Sequence, residues 1–210
     1  LSYTPQDGQE GVRRNLDTIR AVREAAGPDM DLMFDCWNSY NVPYVQRLAD
    51  RAAPYRPRWF EEPVMPDWID QCAELRRTVT ATTIAGGEHE YTRWGAKALL
   101  DAGAVDVLQM DVLWAGGLTE MCKIAALASA YGIPLIPHCG YRAASHLIAA
   151  QAIATCPLQE WLIQSAAVAE YFLQERYWPE NGFLGLPPGP GLAMELDESR
   201  IESRELLDLS

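Results

Sequence analysis

The sequence predicts an α/β fold: repeated strand–helix units on a parallel sheet, closed as part of a (β/α)8-type barrel. Three observations predict it. Short apolar runs alternate with amphipathic helical patterns over residues 11–164, as right-handed βαβ units require. The runs recur at intervals of about 25 residues, one strand–helix unit each. Nearly every run also ends in an acid or a histidine: Asp35, Glu61, Glu88, Asp111 and His138. An open doubly wound sheet shows the same rhythm but carries ligand groups only at its switch point. A closed barrel aims every strand end at one centre, which is where its chemistry sits.

Each element has its own signal. Val12, Leu16, Ile19 and Val22 recur at helical spacing, predicting a helix over residues 11–26 that stops at Gly27-Pro28-Asp29. Residues 31–35 read as a short buried strand. Residues 40–53 read as a helix with Val45, Leu48 and Ala49 on its inner face. Residues 58–62 form a strand stopped by Pro63, and 67–78 a helix. Residues 82–88 make a strand, followed by a helix over 92–102 that Gly103 is placed to cap. The pattern continues with a strand at 105–111, a helix at 118–131, a strand at 134–139, a helix at 143–155 and a strand at 160–164. Residues 166–180 are irregular or weakly helical, 181–191 are rich in Gly and Pro, and 192–196 could form a terminal strand. That makes about six strand–helix units, where a full barrel needs eight. The chain opens on a helix with no strand before it, and on Leu1 rather than Met. The first two strands are therefore expected to lie outside this sequence. Residues 1–165 are assigned to the partial barrel and 166–210 to a C-terminal return segment.

Composition narrows the function. Of the 210 residues 49% are hydrophobic, enough for a sizeable core. The net charge of -12 argues against a nucleic-acid partner, and no apolar run is long enough to cross a membrane. There is no signal-peptide pattern. The five cysteines are scattered without CxxC spacing and read as reduced thiols of a cytoplasmic protein.

Three carboxylates on consecutive strand ends, Asp35, Glu88 and one of the adjacent pair Glu61/Glu62, repel one another unless a cation joins them. All-oxygen ligation suits Mg²⁺, with Mn²⁺ as the other candidate. Strand alternation sends only one of Glu61 and Glu62 inward, and the sequence does not choose. His138 ends the strand after Asp111, so the two should be neighbours. An Asp beside a His fixes its tautomer and raises its basicity, as a general base needs. His89 either meets substrate or lies on the strand's other face. Trp37 and Asn38 follow Asp35 and are placed to line the mouth. His146 is expected on a surface or interface face of its helix, and Gly116-Gly117 to make a tight turn. A metal beside a His–Asp base suggests abstraction of a proton α to a carboxylate, with the metal stabilising the enediolate.

Asp35-Cys36-Trp37-Asn38, Trp59-Phe60-Glu61-Glu62-Pro63, Gly87-Glu88, Gln109-Met110-Asp111 with Gly116-Gly117-Leu118-Thr119, and Pro137-His138 together resemble the mandelate racemase branch of the enolase superfamily. The resemblance covers roughly residues 5–200. It implies Glu61 rather than Glu62, hence Asp35, Glu61 and Glu88 as Mg²⁺ ligands and His138–Asp111 as the catalytic dyad. The runs around Gly87-Glu88-His89-Glu90-Tyr91-Thr92 and Asp111-Val112-Leu113-Trp114 are most similar to L-rhamnonate dehydratases, a group of acid-sugar dehydratases. That similarity favours His89 as a substrate contact and Glu160 as an acid facing the site. It also implies an N-terminal capping domain absent from this sequence, a small acid-sugar substrate and a homo-oligomer, dimer or octamer. The expected activity is a hydro-lyase giving a 2-keto-3-deoxy acid. The alternatives are a racemase or epimerase on the same metal site, or a non-catalytic fragment acting as an interaction protein.

Overall fold

The chain, seen in a computed structural model that describes residues 1–205, is built on a parallel sheet of β1 (Leu32–Asp35), β2 (Pro57–Glu61), β3 (Thr83–Gly86) and β4 (Val107–Leu108), in the order β1-β2-β3-β4. Strictly sequential order, with no reversal, is barrel-like rather than doubly wound. Helices alternate with the strands: α1 (Gly8–Ala26), α2 (Val42–Ala52), α3 (Ile69–Thr78), α4 (Thr92–Ala102), α5 (Leu118–Tyr131) and α6 (Tyr141–Ala149), each packed on the next. A short helix, α7 (Ile163–Ala169), follows. Local chemistry sets the helix ends. Asn41 caps α2 by accepting from the Tyr44 amide at 3.1 Å. Gly103 and Gly132 end α4 and α5 in the left-handed conformation.

Strand alternation sorts the side chains into two layers. Phe34, Phe60, Ile84, Leu108 and Leu135 point outward into the main core beneath the helices. Trp59, Ala85, Val107 and Ile136 form a separate cluster on the inner face. Two residues further along β1, β2 and the 134–139 segment from Met33, Trp59 and Ile136 stand Asp35, Glu61 and His138. The apolar layer is the floor of the site, and period-two alternation places the polar groups directly above it.

Two predicted strands are not strands. Residues 134–139 run parallel to 108–111 through two isolated bridges, Leu108 with Leu135 and Asp111 with His138, and three backbone bonds, Leu108 N to Pro134 O, Ile136 N to Leu108 O and His138 N to Met110 O, at 3.0, 2.9 and 3.2 Å. On the other side Leu135 donates to Thr155 O at 2.8 Å, and Pro137, the next residue on that side, has no amide to donate, so no ladder forms with the following segment. Residues 160–164 make one long backbone contact, Glu160 N to Pro137 O at 3.4 Å, and Ile163 already begins α7. The predicted helix at 143–155 is the shorter α6, which starts earlier, at Tyr141 after Gly140. The terminal strand at 192–196 reduces to a single antiparallel bridge, Leu173 with Leu196. Residues 206–210 of the assigned return segment lie outside the described residues.

Side chains replace the missing ladder. Arg142 and Glu170 form an ion pair at 2.5 Å, with side chains 3% and 4% exposed. The same guanidinium donates to the carbonyls of Ala193 and Glu175 and lies over the Tyr177 ring. The return segment is thereby pinned to α6, immediately downstream of His138. The five cysteines are free thiols, Cys122 exposed and the others buried. No helix among the described residues is long and apolar enough to cross a membrane.

Candidate active site

Asp35, Glu61 and Glu160 open onto a cavity of about 300 Å³, lined also by Met33, Trp59, Gln109, Ile136, Leu158 and Gln159; Glu88, Asp111 and His138 stand beside it and are not among its lining residues. Glu61, not Glu62, faces this cavity. Its Oε2 accepts from the Trp59 indole at 3.3 Å, and burial, with the Glu160 carboxylate opposing it, pushes its carboxyl up to about 7. Burial does the same to Glu88, also to about 7. Asp35 is the most open of the acids; its Oδ1 accepts from the Trp37 amide at 2.7 Å.

His138 and Asp111 meet as a dyad. His138 Nδ1 stands 2.8 Å from Asp111 Oδ2. Asp111 Oδ1 accepts from the Leu113 amide at 2.6 Å, which fixes the carboxylate. An ionised carboxylate only accepts, so Nδ1 carries the proton and Nε2 faces the site. There Nε2 lies 3.3 Å from Glu88 and 3.7 Å from Glu160. Burial alone would lower the imidazole pKa. The Asp111 hydrogen bond and the Glu160 and Glu88 charges outweigh burial and raise it to about 9. Glu160 is held by the Cys139 amide at 3.1 Å. Its carboxyl is pushed up by burial, against the pull of His138.

His89 sits on the far side of Glu88. Its Nδ1 lies 2.6 Å from Glu62 Oε2 and 3.7 Å from Glu88 Oε1, and the Asn38 amide is 3.4 Å away. Trp114 meets the His89 ring edge-on at 5.3 Å, with Tyr91 stacked behind it at 6.2 Å. Of the predicted substrate contacts only Glu160 lines the cavity; Trp37, 69% exposed, Asn38 and His89 do not. Gly116 and Gly117 take φ of 111° and 82°, the turn expected after Asp111. His146 is half-buried, and its Nε2 has no hydrogen-bond partner among the described residues. From the sequence, Gln109, Tyr91 and Trp114 have no role at the site, and Glu62 is offered only as the alternative to Glu61 as a metal ligand. Gln109 lies two residues before Asp111 and so shares its face; that signal was available.

Two groupings could hold a cation. Among the described residues, Glu62, Glu88 and His89 offer ligand atoms all within 4.8 Å of one another. Glu62, however, is already used by three donors: the Gly87 amide, the His89 amide and His89 Nδ1. Asp35, Glu61 and Glu88 offer only carboxylate oxygens but are not drawn together within that distance, and Glu88 lies between His89 and His138. Buried carboxyls held near 7 by burial are the groups a hard divalent ion would ionise. By donor type alone, three carboxylates suit Mg²⁺ better than a trio that includes an imidazole.

A sequential parallel βα sheet with acids and a His–Asp pair above an apolar floor defines a barrel-type acid–histidine site. The enolase C-terminal domain-like family model matches residues 6–200, and the chain belongs to that family. An L-rhamnonate dehydratase of Saccharopolyspora erythraea is 39% identical over 215 residues, covering 99% of this chain and 54% of that protein. Rhamnonate dehydratase from Gibberella zeae, solved in complex with Mg, superposes with a TM-score of 0.86 at 35% identity over 95% of this chain and 50% of that one. The 3,6-anhydro-D-galactonate cycloisomerase from Zobellia galactanivorans gives 0.81 at 37% identity, over 90% and 54%. The chain thus spans about half the length of the relatives it matches.

Proposed function

We propose that this chain is the catalytic part of an Mg²⁺-dependent acid-sugar dehydratase, acting on L-rhamnonate or a stereoisomer of it. The observation that carries this reading is the His138–Asp111 dyad, whose free Nε2 faces Glu88 and Glu160 at the cavity. Asp35, Glu61 and Glu88 would hold the ion. When bound, it would bind the substrate carboxylate, offset the negative potential that holds His138 protonated at neutral pH, and favour loss of the α-proton.

The residues of the chain then divide the proton work. Nε2 of neutral His138 takes the proton α to the carboxylate, and Asp111 stabilises the imidazolium. The same imidazolium gives that proton to the departing β-hydroxyl, which leaves as water. The enol left behind tautomerises to the 2-keto-3-deoxy acid, taking a proton at C3 and giving up the proton of its C2 hydroxyl. Glu160, His89 and Asn38 would orient the sugar hydroxyls, with Trp37 at the rim. Residues 1–165 are proposed as the barrel part and 166–210 as the return segment, docked on the barrel or on a capping domain. A homo-oligomer in the cytoplasm completes the reading.

The full-length protein should convert L-rhamnonate, or a near stereoisomer, to a keto acid with Mg²⁺ and not with EDTA. A panel of acid sugars giving α-deuterium exchange without keto acid would instead support a racemase or epimerase. Relatives in this family include a cycloisomerase, so the site class alone does not set the reaction.

A further inference from the structure

We infer that Glu62, the second acid of Glu61-Glu62-Pro63, is a positioning residue that sets the tautomer and orientation of His89. The inference rests on the proposed function only in taking His89 as a substrate contact. Glu62 is turned out of the cavity by a left-handed backbone, φ 38°, and its side chain is 4% exposed. Its Oε2 meets His89 Nδ1 at 2.6 Å. Its Oε1 faces the amides of Gly87 at 3.3 Å and His89 at 3.5 Å. One carboxylate at the end of β2 therefore holds both the backbone and the ring of the loop after β3.

The loop makes room for this reach. A Cβ on Gly86 would stand 3.3 Å from Glu62 Cγ, and Gly87 has φ 121°. The chemistry then follows from the donor inventory. A carboxylate accepts, so Nδ1 carries the proton, and Nε2 is left as the nitrogen that can face a ligand. Trp114 packs on the ring and limits its rotation. The result is a second carboxylate–imidazole pair, on the opposite side of Glu88 from His138–Asp111. Outer partners of this kind cost about 10- to 100-fold when removed.

The test is histidine-selective ¹⁵N NMR on the full-length, Mg²⁺-loaded protein, with the His89 signal assigned by its loss in His89→Gln. In the parent, His89 Nδ1 carries a proton. Glu62→Leu should lose that protonation preference, and Glu62→Gln should keep it, because the amide oxygen still accepts. With L-rhamnonate as substrate, Glu62→Leu should lower kcat/KM about 10- to 100-fold, Glu62→Gln should recover most of it, and Mg²⁺ affinity by calorimetry should stay at the parent value in both. A parent His89 protonated only on Nε2 overturns the proposal, even where Glu62→Leu does not fold. So does a His89 signal indifferent to Glu62→Leu, or a loss of Mg²⁺ affinity that would make Glu62 a ligand. A parent that turns over no acid sugar removes the dehydratase reading, while the NMR result still decides the role of Glu62.

Discussion

Residues 32–108 and residues 134–200 are held together by different means. In the first region backbone ladders join four parallel strands, and outward-facing Phe60, Ile84 and Leu108 are fully buried under the helices. In the second, isolated bridges and single backbone bonds replace regular strands, and a buried ion pair with its carbonyl partners ties the last segment down. The difference matters because the dyad crosses the seam: Asp111 follows the last ladder strand, and His138 lies in the proline-interrupted segment. Alignment of the base depends on both modes of cohesion. The two also fail differently. A hydrophobic core loses stability in proportion to the atoms removed, whereas a buried ion pair fails abruptly when one charge is left alone.

The largest effect should come from the seam itself. His138→Asn should lower turnover of the acid-sugar substrate by roughly 10³-fold or more, leaving the melting temperature and Mg²⁺ affinity near the parent values. Turnover close to parent would remove His138 as the base. Next, Arg142→Ala should destabilise the chain by about 3–5 kcal/mol in urea unfolding, because Glu170 is left buried and unpaired. Arg142→Met with Glu170→Leu should recover most of that loss. A double variant as unstable as the single would show that the carbonyl contacts, not the charges, hold the second region.

A pH series tests the acids. Glu61 and Glu88 are raised from 4.5 to about 7 in the folded chain, so the folded state binds their protons more tightly than the unfolded chain does. Their contribution to stability is complete below about 4.5 and is lost as pH rises through about 7. His138, raised from 6.5 to about 9, extends the loss over that next window. Without metal, thermal stability should fall from pH 5 to pH 8; Mg²⁺ should restore more at pH 8 than at pH 5. Equal stabilisation at both values would take the acids out of the ligand set. Smaller still, Ile84→Val should cost about 0.5–1.5 kcal/mol in the ladder region and leave kcat/KM unchanged. At the bottom of the scale, Lys97→Ala breaks only an exposed pair with Asp101 on α4, and the melting curve should superimpose on the parent's.

How far these outcomes could be foreseen differs from residue to residue. Asp111 and His138 were paired by counting strand ends, because alternation and parallel order put successive strand ends side by side. The same count placed Asp35, Glu88 and one of Glu61 and Glu62 on successive strand ends, and the family resemblance implied Glu61. The count failed at 160–164: a short apolar run after Pro157 looks like a strand, but nothing in the run says whether a neighbour offers free backbone groups to pair with. Gln109 could have been read from its register with Asp111. Trp114 and Tyr91 could not, since their approach to His89 depends on loop paths.

The sequence by itself determined the alternation of strands and helices, the parallel order, the apolar floor and the acids and histidine above it. These follow from local periodicity, and local periodicity is set by backbone geometry within a few residues. Only the tertiary structure decided what Glu62 holds and that Arg142 and Glu170 bind the final segment. Each depends on the φ of one residue or on groups far apart in the chain. Such choices are made by burial, where a charge must find its partner wherever the fold puts it.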